Sequence, residues 1–174
     1  MPRIVVLVGM MGSGKTTIGK RVASQLHIPF VDTDDLVQAR TGKAVRDIFV
    51  QDGEAAFRAL EAEVLADALA TQGDLLVAAA GGTVLNDSTR SLMKHHADVV
   101  VWLDADLATL NNRTQRSNHR PLLDGDAITR LTTLDEQRRH LYEDVATVRI
   151  DTTGKHANEV VQLVLDAVAA EHAS

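Results

Sequence analysis

Short runs in which nearly every position is apolar recur along the chain, at "RIVVLV", "LLVAAA" and "VVVWLD", with "FVDTD" and "TVRIDT" as two further β-rich runs. Continuous apolar runs of this length suit strands buried on both faces. The stretches between them carry helical spacing. "KTTIGKRVASQL" sets Ile18, Val22 and Leu26 one turn apart, and "GEAAFRALEAEVLADALAT" puts Phe57, Leu60, Val64 and Leu65 on one stripe that Leu69 extends. "ANEVVQLVLDAVAAEHA" repeats apolar side chains at Val160, Val161, Val164, Leu165 and Val168. Strands alternating with helices long enough for right-handed crossovers predict an α/β fold, with helices on both faces of a five-stranded, mostly parallel sheet in a three-layer αβα arrangement. "TQRSNHRPLLDGDA" interrupts the pattern with polar residues, Pro121 and Gly125, and predicts a loop or small mobile lid over about residues 113–126.

Composition narrows the class. The 174 residues suffice for one good core, so a single domain over 1–174 is expected. No apolar run approaches the ~20 residues needed to cross a bilayer, and "MPRIVV" enters a strand at once without a secretory or transit segment. The absence of cysteine excludes disulfides, thiolate zinc sites and a thiol nucleophile, and suits a reducing compartment, so a cytoplasmic setting is expected. A net charge of −6 leaves no excess of Lys and Arg for tracking a nucleic-acid backbone. No membrane or nucleic-acid partner is expected, and with no dimer stripe evident, monomer is the default.

The most specific chemical signal is "GMMGSGKTT", from Gly9 to Thr17, placed between the first strand and a helix. Gly9, Gly14, Lys15 and Thr16 fit G-x-x-x-x-G-K-[ST], in which backbone N–H groups turn inward around phosphate oxygens and the lysine reaches the outer phosphates. Thr16 can offer its hydroxyl to Mg²⁺, and the helix beginning near Lys15 presents its positive end. "FVDTD" brings Asp32 and Asp34 to the end of the second strand. In an extended segment they project to the same side, with Thr33 opposite, and can divide their work between magnesium and a substrate hydroxyl. Capping of the following helix is the plainer use of this cluster.

Arg58 and Glu61 are three apart on a helix, a spacing that by itself reads as a surface ion pair. Gly81 and Gly82 close the third strand and permit either close ligand approach or a simple turn. Arg113, Arg116, His119 and Arg120 concentrate positive charge in the lid segment. Asp104 ends the fourth strand, where it could imitate the acidic residue of the second P-loop motif, while capping of the next helix by it or Asp106 is the plainer reading. Packing is a sufficient reason for Tyr142, one turn beyond Arg138. The histidines show no metal-ligand spacing, and no zinc is assigned.

Taken in order, "GMMGSGKTT", "DTD", "FRALE", "GG", "RPLL" and "RRHLYEDVA" resemble the shikimate kinases, small P-loop enzymes of the nucleoside-monophosphate-kinase-like group. The resemblance implies transfer of the ATP γ-phosphoryl group to the 3-hydroxyl of shikimate, giving shikimate 3-phosphate and ADP on the route to chorismate and the aromatic amino acids. It implies nucleotide binding by Gly12, Ser13, Gly14, Lys15, Thr16, Thr17, Arg113 and Arg120, and Mg²⁺ held by Thr16 and, through water, Asp32. Asp34 would bind the acceptor hydroxyl, and Arg58 and Arg138 the substrate carboxylate beside Gly81 and Gly82, with Arg139 as the competing register and Glu61 orienting Arg58. Lys15, Asp34 and Arg120 would carry catalysis, within a core flanked by a substrate-binding helical segment of about 33–61. Ala80 stands where the family usually has a first glycine, which is harmless if its backbone is extended. A gluconate or nucleoside-monophosphate kinase on the same scaffold is the nearer alternative, and a P-loop regulatory protein with no phosphorylated acceptor the more distant one. The scarcity of aromatic side chains disfavours a nucleobase acceptor.

Overall fold

The computed structural model describes residues 3–116 and 126–173. The chain runs β1 (Ile4–Val8), α1 (Lys15–Leu26), β2 (Phe30–Asp32), α2 (Thr33–Thr41), α3 (Val45–Gln51), α4 (Glu54–Leu69) and β3 (Leu75–Ala78). A 3₁₀ turn (Thr83–Leu85) follows, then α5 (Asp87–His96), β4 (Val99–Asp104), α6 (Leu107–Gln115), α7 (Ala127–Val145), β5 (Val148–Asp151) and α8 (Ala157–His172). The five strands form one sheet in the order β2-β3-β1-β4-β5, every pairing parallel, with Val6 between Val77 and Val100.

The apolar runs become the sheet because they bury both faces. Along β1, Ile4, Val6 and Val8 enter one core with Trp102 and Tyr142, while Val5 and Leu7 enter the other with Ile18, Val22, Val160 and Val164. The first core lies under α4, α5 and α7, the second under α1 and α8. A third, smaller cluster of Val37, Ile48, Phe57 and Val64 gives α2, α3 and α4 a core of their own. Gly19 lets α1 approach the sheet closely, since a Cβ there would lie 2.6 Å from the Phe30 ring. A larger residue would push α1 off β2, which outweighs the ~1 kcal/mol that Gly costs inside a helix.

Three sequence expectations change in detail. The strand in "FVDTD" ends at Asp32 and Thr33 already begins α2, so Asp32 and Asp34 do not alternate along an extended segment. A separate helix, α3, interrupts the segment before α4. Arg113 belongs to α6 and Arg116 caps it, while Arg120, His119 and the rest of the lid from 117 to 125 fall outside the described residues. Because β1 is followed by strands on one side and then on the other, the carboxyl ends of β1, β3 and β4 flank the point where the winding reverses, the position where open α/β sheets hold ligands.

Candidate active site

The loop between β1 and α1 has left-handed backbone at Gly12 (φ 81°) and Gly14 (φ 99°), conformations that L side chains rarely adopt. Gly14 is the N-cap of α1, so the first free N–H groups of the helix open toward the loop's concave side. Lys15 Nζ donates to the Gly9 and Met10 carbonyls at 2.7 and 3.0 Å, which holds its ammonium over the loop. An ammonium, helix N–H groups and a glycine turn converging on one point make an anion cradle.

Beside it, the Thr16 hydroxyl donates to Asp32 Oδ2 at 2.6 Å, and Asp32 Oδ1 accepts the Asp34 N–H at 2.9 Å. Asp32 therefore both caps α2 and faces Thr16, so the capping and ligand readings of this residue are compatible. Asp34, on the first turn of α2, lines the same cavity of about 1060 Å³ as Gly12, Ser13, Gly14, Lys15, Thr16 and Thr17. Asp32, Gly81 and Arg113 line it too, whereas Arg58, Gly82 and Arg138 do not. Arg113 braces the loop from outside, donating to the Gly12 carbonyl at 3.3 Å and to the hydroxyl and carbonyl of Thr152 at 3.1 and 3.2 Å. Thr16 and Asp32 offer hard oxygen ligands next to the phosphate cradle, a donor set that suits Mg²⁺.

Arg58 overturns the surface ion-pair reading. Its guanidinium donates to Glu61 Oε2 at 2.5 Å, with Glu61 only 1% exposed, and it stacks near Phe57 and Phe49 at 5.2 and 5.9 Å from their centroids. Burial pushes the Glu61 carboxyl above the usual carboxylate range, against the pull of Arg58 and, further off, Arg138. A Cβ at Gly82 would overlap the Arg58 guanidinium, and one at Gly81 would lie 3.3 Å from an Arg138 nitrogen. Neither glycine has positive φ, so close approach of the two arginines, and not turn conformation, is what their lack of a side chain permits. Ala80 has no positive φ, and its methyl is accommodated as expected. Arg138 is 1% exposed and, among the described residues, forms no ion pair.

The neighbouring Arg139 has a different fate. It meets Asp104 through both terminal nitrogens at 3.1 Å and Asp135 at 3.1 and 3.2 Å, and lies over Trp102. Arg149 binds Asp104 from the other side at 2.6 and 3.0 Å and stacks on the same indole. These carboxylates hold the Arg139 proton above the usual guanidinium range. Asp104 is thereby absorbed in an ion-pair knot, and it is Asp106 that caps α6, accepting from Thr109 N–H at 2.7 Å. Sequence reasoning missed this knot, as it missed the Tyr142 hydroxyl, which donates to the Gly81 carbonyl at 2.6 Å. The alternation of charge in "DEQRRH" and "TVRID" held the only hint of the first, and nothing marked the second.

A family model described as shikimate kinase matches residues 11–169. A shikimate kinase of Symbiobacterium thermophilum is 44% identical over 93% of this chain and 94% of its own, and one of Streptomyces coelicolor is 42% identical over 98% of each. Among solved structures, a shikimate kinase from Acinetobacter baumannii in complex with shikimate superimposes with a TM-score of 0.93 at 32% identity, covering 98% of this chain and 94% of its own. By its P-loop, its five-stranded parallel sheet and these matches over nearly its whole length, this chain belongs to the shikimate kinase family.

Proposed function

We propose that this chain transfers the γ-phosphoryl group of ATP to the 3-hydroxyl of shikimate, giving shikimate 3-phosphate and ADP in aromatic amino acid biosynthesis. The single observation that supports this acceptor best is the placement of two arginines, Arg58 and Arg138, at the glycine pair beside a cavity whose other wall is a phosphate loop. Arg58 shares its fork between the buried Glu61 and the exposed Glu54, and Arg138 is in no ion pair among the described residues, which leaves guanidinium donors for a planar anion that a polyhydroxylated acid supplies and a neutral acceptor does not.

In this reading the N–H groups of Gly12 to Thr17 and the Lys15 ammonium hold the phosphates, with Arg113 keeping the loop in place. Thr16 and, through water, Asp32 would hold Mg²⁺, which when bound would neutralise phosphate charge. Asp34 accepts a hydrogen bond from the acceptor hydroxyl, orients it toward the γ-phosphorus and stands where its proton is released as the new P–O bond forms and ADP leaves. Arg58, 17% exposed and oriented by Glu61, meets the substrate carboxylate first. Arg138 lies deeper, beside Gly81 and the Tyr142 phenol, and engages the same carboxylate from there. Arg120 is assigned to the transferring phosphoryl group and the segment around it to water exclusion, which spares ATP from hydrolysis.

One domain carries the whole reaction, with α2 to α4 as its acceptor-binding segment. The large apolar side chains exposed among the described residues, Val50, Leu85, Ile128 and Leu163, sit on four separate elements, which supports a monomer. No helix among the described residues is long and apolar enough to cross a membrane, and a cytoplasmic location fits. A product assay with ATP, Mg²⁺ and shikimate, beside gluconate and nucleoside monophosphates, should show catalytic formation of a phosphorylated shikimate by mass and no other product. Free phosphate alone, or preference for another acceptor, contradicts the assignment.

A further inference from the structure

The loop that joins β3 to the 3₁₀ turn, carrying Ala80, Gly81 and Gly82, is gripped by hydroxyl groups from two distant elements. On one side the Thr33 hydroxyl, fully buried at the start of α2, accepts the Ala80 N–H at 2.9 Å. On the other, the Tyr142 phenol, fully buried in α7, donates to the Gly81 carbonyl at 2.6 Å. The loop also closes on itself, Thr83 N–H donating to the Ala80 carbonyl at 2.9 Å. Each clamping residue stands beside a candidate substrate ligand: Thr33 directly precedes Asp34, and Tyr142 lies one helical turn beyond Arg138.

Packing does not explain these hydroxyls. Val fills the space of Thr, and Phe that of Tyr, without the cost of desolvating an oxygen. The Tyr142 ring is already positioned by Trp102, whose centroid is 5.8 Å away in a stacked arrangement, and its phenol oxygen joins the Gly81 carbonyl, to which it donates, to the neighbouring Arg138. Burial raises the Tyr142 pKa to about 12 against the pull of the neighbouring Arg138, so the phenol keeps the proton that it donates. The backbone from the Ala80 N–H to the Gly81 carbonyl is thus pinned at its two ends, the donor by Thr33 and the acceptor by Tyr142. Its position sets how near Gly82 comes to Arg58, how near Gly81 comes to Arg138, and how far both stand from Asp34.

We propose that Thr33 and Tyr142 are positioning residues for the acceptor substrate, a two-hydroxyl clamp that holds the Ala80–Gly82 backbone at a fixed distance from Asp34, Arg58 and Arg138. The proposal rests on the reading of this site as the shikimate pocket. Neither residue lines the cavity, and the clamp acts first on acceptor binding, since the residues that cradle the nucleotide phosphates, Gly12 to Thr17, belong to a different loop.

The test is calorimetric titration of shikimate and of ADP into the wild-type protein and into Thr33→Val, Thr33→Ser and Tyr142→Phe, at a temperature below the unfolding of each. Loss of one hydrogen bond on the clamp should raise the shikimate Kd roughly three- to tenfold in Thr33→Val and in Tyr142→Phe, with the ADP Kd changed by less than about twofold. Thr33→Ser, which keeps the hydroxyl, should restore the wild-type shikimate Kd. A melting temperature that falls while the shikimate Kd stays put, or a parallel loss of both ligands, overturns the clamp and leaves the hydroxyls a role in the fold alone. Thr33→Val carries the test by itself should Tyr142→Phe not fold. Failure of the shikimate reading shows separately, as a wild-type protein that binds ADP and no shikimate, and it removes this proposal with it.

Discussion

Arg138 and Arg139 are neighbours on α7, yet they serve clusters of opposite character. Around Arg139 the charges close: two guanidinium groups, Arg139 and Arg149, face two carboxylates, Asp104 and Asp135, with an indole between them. Around Arg138 they do not, for Arg58 and Arg138 share the buried Glu61, whose pull reaches Arg138 only weakly, and Glu54 pairs with Arg58 from the exposed side. Both clusters use the same residue types and both stack cations on aromatic rings. Half-exposed ion pairs add little net stability once desolvation and solvent screening are counted, so a closed cluster serves register, here locking α7 and β5 to the end of β4. A cluster that leaves one arginine outside any ion pair has a use when an anion arrives to complete it. The difference teaches that how completely a guanidinium is paired separates a structural arginine from a binding one, where residue type and the count of charges do not.

The comparison is broken most severely if carboxylates of the two regions prove interchangeable. Asp34→Asn should lower turnover by about 10²- to 10⁴-fold, whereas Asp104→Asn should leave it within about threefold, as steady-state assays at saturating substrates will show. Next in size, Arg58→Met or Arg138→Met should raise the shikimate Kd by about 30-fold or more, the cost of removing a charged hydrogen-bonding partner from a desolvated ligand. Arg139→Met should instead lower unfolding free energy by about 1–2 kcal/mol, a figure discounted because Arg139 is 35% exposed, and leave the Kd nearly unchanged. Urea unfolding beside calorimetry reads both quantities.

The smallest effect concerns Glu61. Its pKa is raised in the fold above the ordinary carboxyl value of 4.5, so the folded state binds the proton more tightly than the unfolded chain. The stability contributed by protonation is fully present below 4.5 and is lost as pH rises from there through the raised value. The difference in unfolding free energy between the wild type and Glu61→Gln should therefore move against the wild type across that window, and a difference that is flat or of opposite slope contradicts the burial argument.

Much of the fold was legible because long apolar runs and helical stripes report burial directly: β1, β3, β4, α1, α4 and α8 lie where the periodicity of their residues puts them. The phosphate loop was legible because its glycines and Lys15 are required by backbone geometry that only a few residue types satisfy. Spacing alone misplaced Arg58, since i, i+3 pairing is the same on a wet face and a buried one, and only the sheet and the aromatic pair Phe49 and Phe57 show which it is. The choice between Arg138 and Arg139 was open in sequence, because a rotation of ~100° per residue sends them to different places, and Asp104, which claims Arg139, and Arg149, which shares Asp104 with it, come from strands distant in sequence. The same holds for Thr33 and Tyr142, whose hydrogen bonds span 47 and 61 residues and leave no local trace.

The central claim is that the incompletely paired guanidinium groups of Arg58 and Arg138 read the carboxylate of the acceptor. The most direct measurement is the affinity of the wild-type protein for shikimate and for its methyl ester, which keeps the ring and every hydroxyl but removes the charge. The account predicts that the ester binds at least about 30-fold more weakly. Equal affinity for acid and ester would contradict it and return both arginines to the fold.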